Sequence, residues 1–140
     1  MARALYALHA TAAGVPAARF SGEEWVEVPN DEALNQTSAL TVAAWVAPDQ
    51  LGPGGARILD KGTAATDEGY VFDTFPGNSL RLILKAGTVQ QEAQLPPERW
   101  SHVAAVVDPE RGVEELYLNG QVVVSRPQDP LLSASPFGGG

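Results

Sequence analysis

The chain has 140 residues, 44% apolar and 19% charged, which is the composition of a soluble globular domain rather than of a disordered segment. A formal net charge of −8, with only nine scattered basic residues, argues against nucleic acid and anionic membranes as partners, because both attract clustered lysine and arginine. The sequence has no cysteine, which excludes thiolate nucleophiles, zinc–thiolate sites and disulfides.

Hydrophobic runs along the chain are all short. None approaches the roughly 20 residues that cross a bilayer. The apolar stretch in residues 1–8 is too short and too interrupted for the core of a signal peptide. We therefore predict one domain over residues 1–140. If the parent protein is secreted, we expect its export signal to lie outside this chain.

Runs rich in β-branched and aromatic residues alternate with turn signals, and this alternation predicts an all-β sandwich. Eleven prolines and fourteen glycines, spread along the chain, supply the turns. One helical turn is predicted within residues 30–36. The predicted strands cover residues 4–11, 17–21, 24–29, 39–48, 56–61, 69–75, 79–85, 88–94, 100–108, 113–119 and 121–126.

The turn signals also predict hairpins. Asn119-Gly120 is the preferred pair for a type I′ turn, because both central residues need positive φ. The run 108–112 predicts a second hairpin loop before it, so three consecutive antiparallel strands are expected. Residues 76–78, Pro-Gly-Asn, predict a tight turn between the strands at 69–75 and 79–85.

The strand at residues 40–46 is apolar or small on both faces. Such a strand is typically central and covered on both sides, so we predict that Trp45 is a core residue, and we predict the same of Trp100. The strand at 81–85 instead alternates leucine with Arg81 and Lys85, which predicts one inward face and one face toward water or a ligand.

Five segments stand in an order and spacing that is similar to the landmarks of one family: 19–22 with 25–29, 40–46, 58–62, 99–108 and 116–120. The chain resembles the laminin-G-like, concanavalin A-like lectin/glucanase jelly rolls from about residue 5 to residue 126. The resemblance implies a sandwich of two antiparallel sheets, commonly an accessory module of secreted carbohydrate-active enzymes, adhesins and cell-surface proteins.

The sequence departs from the family pattern in two places. The family usually continues past a Gly-rich segment into a last strand, whereas this chain stops at Gly140, so we expect a jelly roll that lacks its last strand or closes its sheet differently. Many members hold a structural calcium near a position occupied here by Ser21. We expect no cofactor, with one alternative: a calcium site built from the acidic residues Asp60, Asp67, Glu68 and Asp73.

No catalytic constellation is visible. A glycoside hydrolase needs two carboxylates facing one cleft, and the sequence has no alternating acidic triplet that would place them there. Ser101 and His102 are adjacent, so in a strand they point to opposite faces and cannot form a nucleophile–base pair. The prediction is that the chain is not an enzyme.

Ligand-binding candidates concentrate in residues 69–81. If the tip of the hairpin is at residues 76–78, Asp73 and Arg81 lie opposite each other and share a face. They form either a cross-strand salt bridge or an anchor for a ligand beside Tyr70, with Asn78 in the turn.

Two further candidates lie outside that hairpin. Trp25 follows a glutamate in a short, charged strand and is either a partly exposed platform for a sugar ring or an edge-of-core residue. His102 either packs or contacts a ligand.

The predicted function is a non-catalytic carbohydrate-binding module, secreted as an accessory domain of a carbohydrate-active enzyme. Its predicted partners are a polysaccharide or oligosaccharide and a catalytic domain of the same parent protein. The alternative is an adhesion or protein-interaction module of the laminin-G type, and an enzyme is the third and weakest hypothesis.

Overall fold

In the computed structural model the chain forms ten β-strands and one 3-10 turn within the described residues. The structure describes residues 2–4, 16–35, 39–62, 69–84 and 87–128. The strands are β1 (Ala2–Ala4), β2 (Val26–Val28), β3 (Leu40–Val46), β4 (Ala56–Gly62), β5 (Gly69–Thr74), β6 (Ser79–Leu84), β7 (Gly87–Gln94), β8 (Ser101–Asp108), β9 (Val113–Leu118) and β10 (Gln121–Pro127).

These strands pair into two antiparallel sheets. The larger sheet has six strands in the order β2-β1-β4-β5-β6-β7, and the smaller has four in the order β10-β9-β8-β3. Every strand pair is antiparallel. The predicted all-β, two-sheet antiparallel jelly-roll sandwich is thereby confirmed.

The predicted hairpins are present with the expected registers. Asn119 and Gly120 have φ values of 51° and 79°, the positive pair that a type I′ turn requires. Asp108 pairs with Val113 across the preceding loop, where the Asp108 carboxylate accepts hydrogen bonds from the backbone N–H groups of residues 110 and 111. Turn chemistry alone had predicted this three-strand order correctly.

The hydrophobic core fills the space between the sheets. The six-stranded sheet contributes Phe72, Leu80 and Leu82, and the four-stranded sheet contributes Val103 and Leu116, all at most 1% exposed. Burying one such side chain stabilises the fold by about 1.5–3 kcal/mol.

One arginine side chain links the two sheets at the edge of this core. Glu114 of β9 is fully buried and accepts a hydrogen bond from Arg126 Nε at 2.7 Å. The same guanidinium donates from Nη1 to the carbonyl oxygen of Thr88 in β7, at 3.0 Å. Arg126 therefore bonds to both sheets at once.

Some predicted elements differ from the structure. No strand forms over residues 17–21, because the Ser21 side chain and backbone N–H bond instead to the Glu24 carboxylate in a local turn. The strand predicted at 24–29 is shorter, and the helical turn is confined to residues 32–34, capped by Asp31. The rest of the strand predicted at 4–11 lies outside the described residues.

The prediction that β3 is covered on both faces is wrong. Among the described strands β3 is the last in its sheet, and Thr41, Ala43 and Trp45 on its outer face are exposed. Trp45 is 63% exposed and is not a core residue. An alanine- and valine-rich strand looks apolar on both sides whether or not anything covers it.

The predicted missing last strand concerns the chain after Gln128, which lies outside the described residues. Within the described part of the chain, no helix is long and apolar enough to cross a membrane.

Candidate functional site

Each sheet has an outer face that points away from the core, because successive side chains of a strand alternate between faces. The two outer faces differ in exposure. We call the outer face of the six-stranded sheet the closed face; it carries Val71, Asp73, Arg81, Ile83 and Gln90. We call the outer face of the four-stranded sheet the open face; it carries Thr41, Ala43, Trp45, His102, Ala104, Val106, Glu115 and Tyr117.

On the closed face, Asp73 and Arg81 are directly opposed, as the hairpin register predicted. Arg81 donates from Nε and Nη2 to the two oxygens of Asp73, at 2.9 and 2.7 Å. The Arg81 guanidinium also stacks over the ring of Phe75, 4.3 Å from the ring centroid. Asp73 is only 4% exposed. Both groups of the pair are therefore engaged with each other, as the salt-bridge alternative predicted.

Tyr70 does not share a face with this ion pair. It lies three residues before Asp73 on the same strand, so its side chain points to the inner side of the sheet, where it is 6% exposed and joins the core cluster with Phe72. Burial raises the pKa of Tyr70. The expectation that Asp73 and Arg81 lie beside Tyr70 is wrong for this reason.

Asn78 is also buried, and its side-chain amide holds a loop. The Oδ1 atom accepts a hydrogen bond from the backbone N–H of Leu51 at 2.9 Å, and Nδ2 donates to the carbonyl oxygen of Asp49 at 3.0 Å. With no exposed surface, Asn78 is placed to fix the loop before β4 rather than to reach solvent.

The other two predicted residues lie on different parts of the molecule. Trp25 is 53% exposed and directly precedes β2, at the end of the six-stranded sheet. His102 lies on the open face of the four-stranded sheet, directly opposite Trp45. The six predicted ligand-binding residues thus do not form one site. Ligand binding by any of them stays a prediction.

The acidic residues considered for calcium are only partly described. Asp60 accepts a hydrogen bond from Arg57 at 2.6 Å, and Asp73 is bound by Arg81. Asp67 and Glu68 lie outside the described residues. Across the described ranges no group of three histidine or acidic side chains converges. A calcium site stays a prediction without support from these side chains.

Ser21 is the residue at which the resemblance implied a calcium turn, and its hydroxyl donates to the Glu24 carboxylate at 2.6 and 2.8 Å. These hydrogen bonds lower the pKa of Glu24 from its ordinary value of 4.5.

The open face presents an aromatic platform. The Trp45 side chain meets the imidazole of His102 edge to face, with ring centroids 5.3 Å apart and planes at 65°. Beside this pair Ala43 and Ala104 oppose each other, and their methyl groups leave a shallow floor next to the indole. With 63% of its surface exposed beside small residues, Trp45 leaves much of its indole open to a flat ligand.

The floor leads from Trp45 to Tyr117. Ala104 pairs with both Ala43 and Tyr117, so these three residues form one row across the sheet. Because strands lie about 4.8 Å apart and rise about 3.3 Å per residue, the Cα atoms of Trp45 and Tyr117 are about 12 Å apart. The two aromatic side chains thus mark the ends of an extended, shallow surface.

A polar network closes the far end of this surface around the Glu115 carboxylate. Arg111 donates to both carboxylate oxygens at 3.0 Å, Tyr117 donates its hydroxyl hydrogen at 2.7 Å, and Ser125 donates at 3.2 Å. These bonds, led by that of Arg111, lower the pKa of Glu115 below 4.5, although burial opposes the shift. The bond to Glu115 raises the pKa of Tyr117.

Trp45 was missed because the strand was interpreted as covered on both sides. The signal that could have identified it is the alternation itself. Residues 40, 42, 44 and 46 are all apolar and form the inner face, which assigns Trp45 to the opposite face with Thr41 and Ala43. His102, a polar residue facing Trp45 in the adjacent strand, is consistent with solvent on that side.

Comparison with known proteins adds one finding. The family model of the concanavalin A-like lectin/glucanases superfamily, of the laminin-G type, matches residues 20–138, which is most of the chain. No curated protein matches the chain. The order of the strands and the family match agree, and the chain belongs to the concanavalin A-like lectin/glucanases superfamily as a lectin-like or laminin-G-type module.

Proposed function

We propose that this module binds carbohydrate on the open face of its four-stranded sheet. The observation that carries the proposal is the exposure of Trp45, which lies on the outer face of β3 with 63% of its surface in solvent. An indole left in water forgoes a large hydrophobic gain, and such exposed apolar surface is typical of a binding site.

The shape and chemistry of the open face suit a sugar chain. One face of a pyranose ring is apolar and stacks on an aromatic ring, while its hydroxyl groups need hydrogen-bonding partners. Trp45 supplies the ring and the alanine floor avoids steric conflict. The imidazole of His102, its ring centroid 5.3 Å from that of the indole, supplies a polar group beside it. The shallow surface, about 12 Å between Trp45 and Tyr117, fits a segment of a chain better than a single sugar.

We further propose that binding is the module's whole contribution and that it is a non-catalytic, secreted accessory domain of a carbohydrate-active enzyme. Among the described residues of the open face, the buried carboxylate Glu115 already accepts four hydrogen bonds, which leaves it no free position as a general acid or base. A panel of glycoside substrates incubated with the purified protein tests this, and hydrolysis of any of them contradicts it.

The experiment that tests carbohydrate binding compares two exposed tryptophans. Affinity electrophoresis in gels containing soluble polysaccharides measures the retardation of wild type, Trp45→Ala and Trp25→Ala. We expect Trp45→Ala to weaken binding at least about tenfold, which corresponds to the loss of one stacking contact. Trp25→Ala is the matched control, since it removes a similarly exposed indole from the other sheet.

Each outcome of this comparison is informative. Loss of binding in Trp25→Ala alone relocates the site to the end of the six-stranded sheet, as the sequence had suggested. If no polysaccharide or oligosaccharide retards the wild type, the carbohydrate proposal fails. Pull-down of a protein partner by the wild type and not by Trp45→Ala then supports the adhesion alternative on the same face.

A further inference from the structure

Resting on the proposed function, we infer that the open face selects uncharged polysaccharides, and that Glu115 sets this selectivity by neutralising Arg111. The proposal of carbohydrate binding can hold while the inferred selectivity fails, because a sugar-binding site is equally able to bind an acidic glycan. The inference depends on which charges on the face are available to a ligand.

Arg111 is the cation in question. In β3, β8, β9, β10 and the turns that join the last three, the described arginines and lysines are Arg111 and Arg126. Arg126 points inward, where it bonds to the buried Glu114. Arg111 alone among these lies on the side of the open face, in the turn between β8 and β9. Among these described strands and turns, ionic attraction to a uronate or sulfate group on this face therefore comes from Arg111.

The guanidinium of Arg111 is already occupied. Its two terminal nitrogens donate to the two oxygens of Glu115, each at 3.0 Å, in the parallel geometry that an acidic sugar's carboxylate would otherwise use. Asp108 adds a second carboxylate 3.9 Å from Arg111. The positive charge is thus compensated within the protein.

Glu115 is equally unavailable to a ligand. Its oxygens accept further hydrogen bonds from Tyr117 and Ser125, so the roughly four acceptor positions of the carboxylate are filled. It is 4% exposed, which keeps this arrangement fixed. Arg111 itself is 55% exposed, but its charge is paired with Glu115. The other accessible groups of the face include the Trp45 indole and the alanine floor.

The charge of the whole chain acts in the same direction. With a formal net charge of −8, the protein repels a polyanion at low ionic strength, where screening extends over about 30 Å at 0.01 M salt. A locally compensated face on an acidic protein offers an anionic glycan no attraction to offset this repulsion. Uncharged chains experience neither effect.

The test substitutes Glu115→Gln, which keeps the size and two acceptor positions of the side chain but removes the paired carboxylate from Arg111 and leaves it only the more distant one of Asp108. Wild type and variant are run in affinity gels with neutral polysaccharides (glucan, xylan, galactomannan) and anionic ones (polygalacturonate, alginate), at about 0.01 M salt and about pH 8. We expect the wild type to be retarded only by neutral chains. We expect Glu115→Gln to bind polyanions about tenfold more tightly than the wild type does. We expect this gain to be lost at about 1 M salt.

Glu110→Gln is the matched control. Glu110 is exposed in the same turn, and its substitution changes the net charge by the same amount without touching the Arg111–Glu115 pair. The expected result is that E110Q behaves as wild type with every polysaccharide. If E110Q and E115Q gain equal retardation by polyanions, the effect comes from net charge and the role given to Glu115 is overturned.

A folded E115Q, verified by its melting temperature, that gains no polyanion binding also overturns the inference. If E115Q does not fold, Ala43→Arg places an uncompensated cation on the exposed floor without disturbing Glu115. Failure of A43R to bind polyanions contradicts charge compensation as the cause of selectivity.

Binding of polyanions by the wild type contradicts the inference directly, and loss of that binding in Arg99→Ala would trace it to the loop before β8. If the wild type binds no glycan at all, the proposed function fails. In that case, retardation by polyanions that appears in E115Q and not in E110Q still measures how far Glu115 compensates the charge of Arg111.

Discussion

The two outer faces of the sandwich differ in the residue types that they bury and expose. On the closed face Val71 is 1% and Asp73 4% exposed, and Arg81, the partner of Asp73, stacks its guanidinium over the ring of Phe75. On the open face Trp45 is 63% exposed. Polar residues buried on the closed face stabilise the fold, whereas apolar residues exposed on the open face remain available for binding. The residue type by itself therefore indicates neither role.

The largest expected effect is on the closed face. Arg81→Ala removes one partner of an ion pair whose carboxylate is buried, and we expect the free energy of unfolding to fall by about 3 kcal/mol. Urea unfolding measures the change, with Arg99→Ala, at an exposed arginine, as the control. An Arg81→Ala variant with wild-type stability but no polysaccharide binding would instead make Arg81 a ligand anchor and reverse the comparison.

The next effect concerns Asn78, which the sequence suggested as a ligand-binding residue. Asn78→Ala leaves the backbone N–H of Leu51 and the carbonyl of Asp49 without their partner, and we expect a loss of about 2 kcal/mol in unfolding free energy. Polysaccharide binding by the folded variant should equal that of wild type. Lost binding at unchanged stability argues that Asn78 contacts ligand.

A smaller effect is expected from the pH dependence of the open face. The pKa of Glu115 is lowered by folding, so its contribution to stability is present above pH 4.5 and is lost as the pH falls through the folded-state pKa. Thermal melts of wild type and Glu115→Gln should therefore differ most near about pH 6 and converge toward about pH 3. A difference in Tm that is constant over this range contradicts the assigned Arg111–Glu115 interaction.

The smallest expected change in stability is that of replacing Trp45 on the open face. Because this side chain is mostly in solvent, Trp45→Ala should change the unfolding free energy by no more than about 0.5 kcal/mol while weakening polysaccharide binding. Differential scanning calorimetry of the variant gives the value. A loss several times larger means that Trp45 supports the sheet, and any binding defect would then be a consequence of misfolding.

The sequence predicted the local geometry well. The hairpin register that opposes Asp73 and Arg81 follows from the turn at residues 76–78, and Asn119-Gly120 selects its own turn type. Such features depend on residues close together in the chain, whose backbone preferences act wherever the hairpin lies. Pairing within a hairpin was therefore predictable residue by residue.

The candidate site was much less predictable. Trp45 and Tyr70 are both aromatic residues in apolar strands, yet one is exposed and the other lies in the core. The Glu115 network brings together residues from β9, β10 and the turn before β9, and no single segment of the sequence contains it. His102 was identified as a candidate, but its neighbour Trp45 is separated from it by more than fifty residues.

The sequence by itself determined the order of strands and turns in an acidic β-sandwich, and the family to which the chain belongs. Both arise from local alternation, turn residues and the order of short motifs. Only the tertiary structure decided which face of each sheet meets solvent, because exposure depends on what packs above a strand and not on the strand's own residues. That difference is why Asp73 and Arg81 are bonded to each other, and why the proposed binding site depends on Trp45.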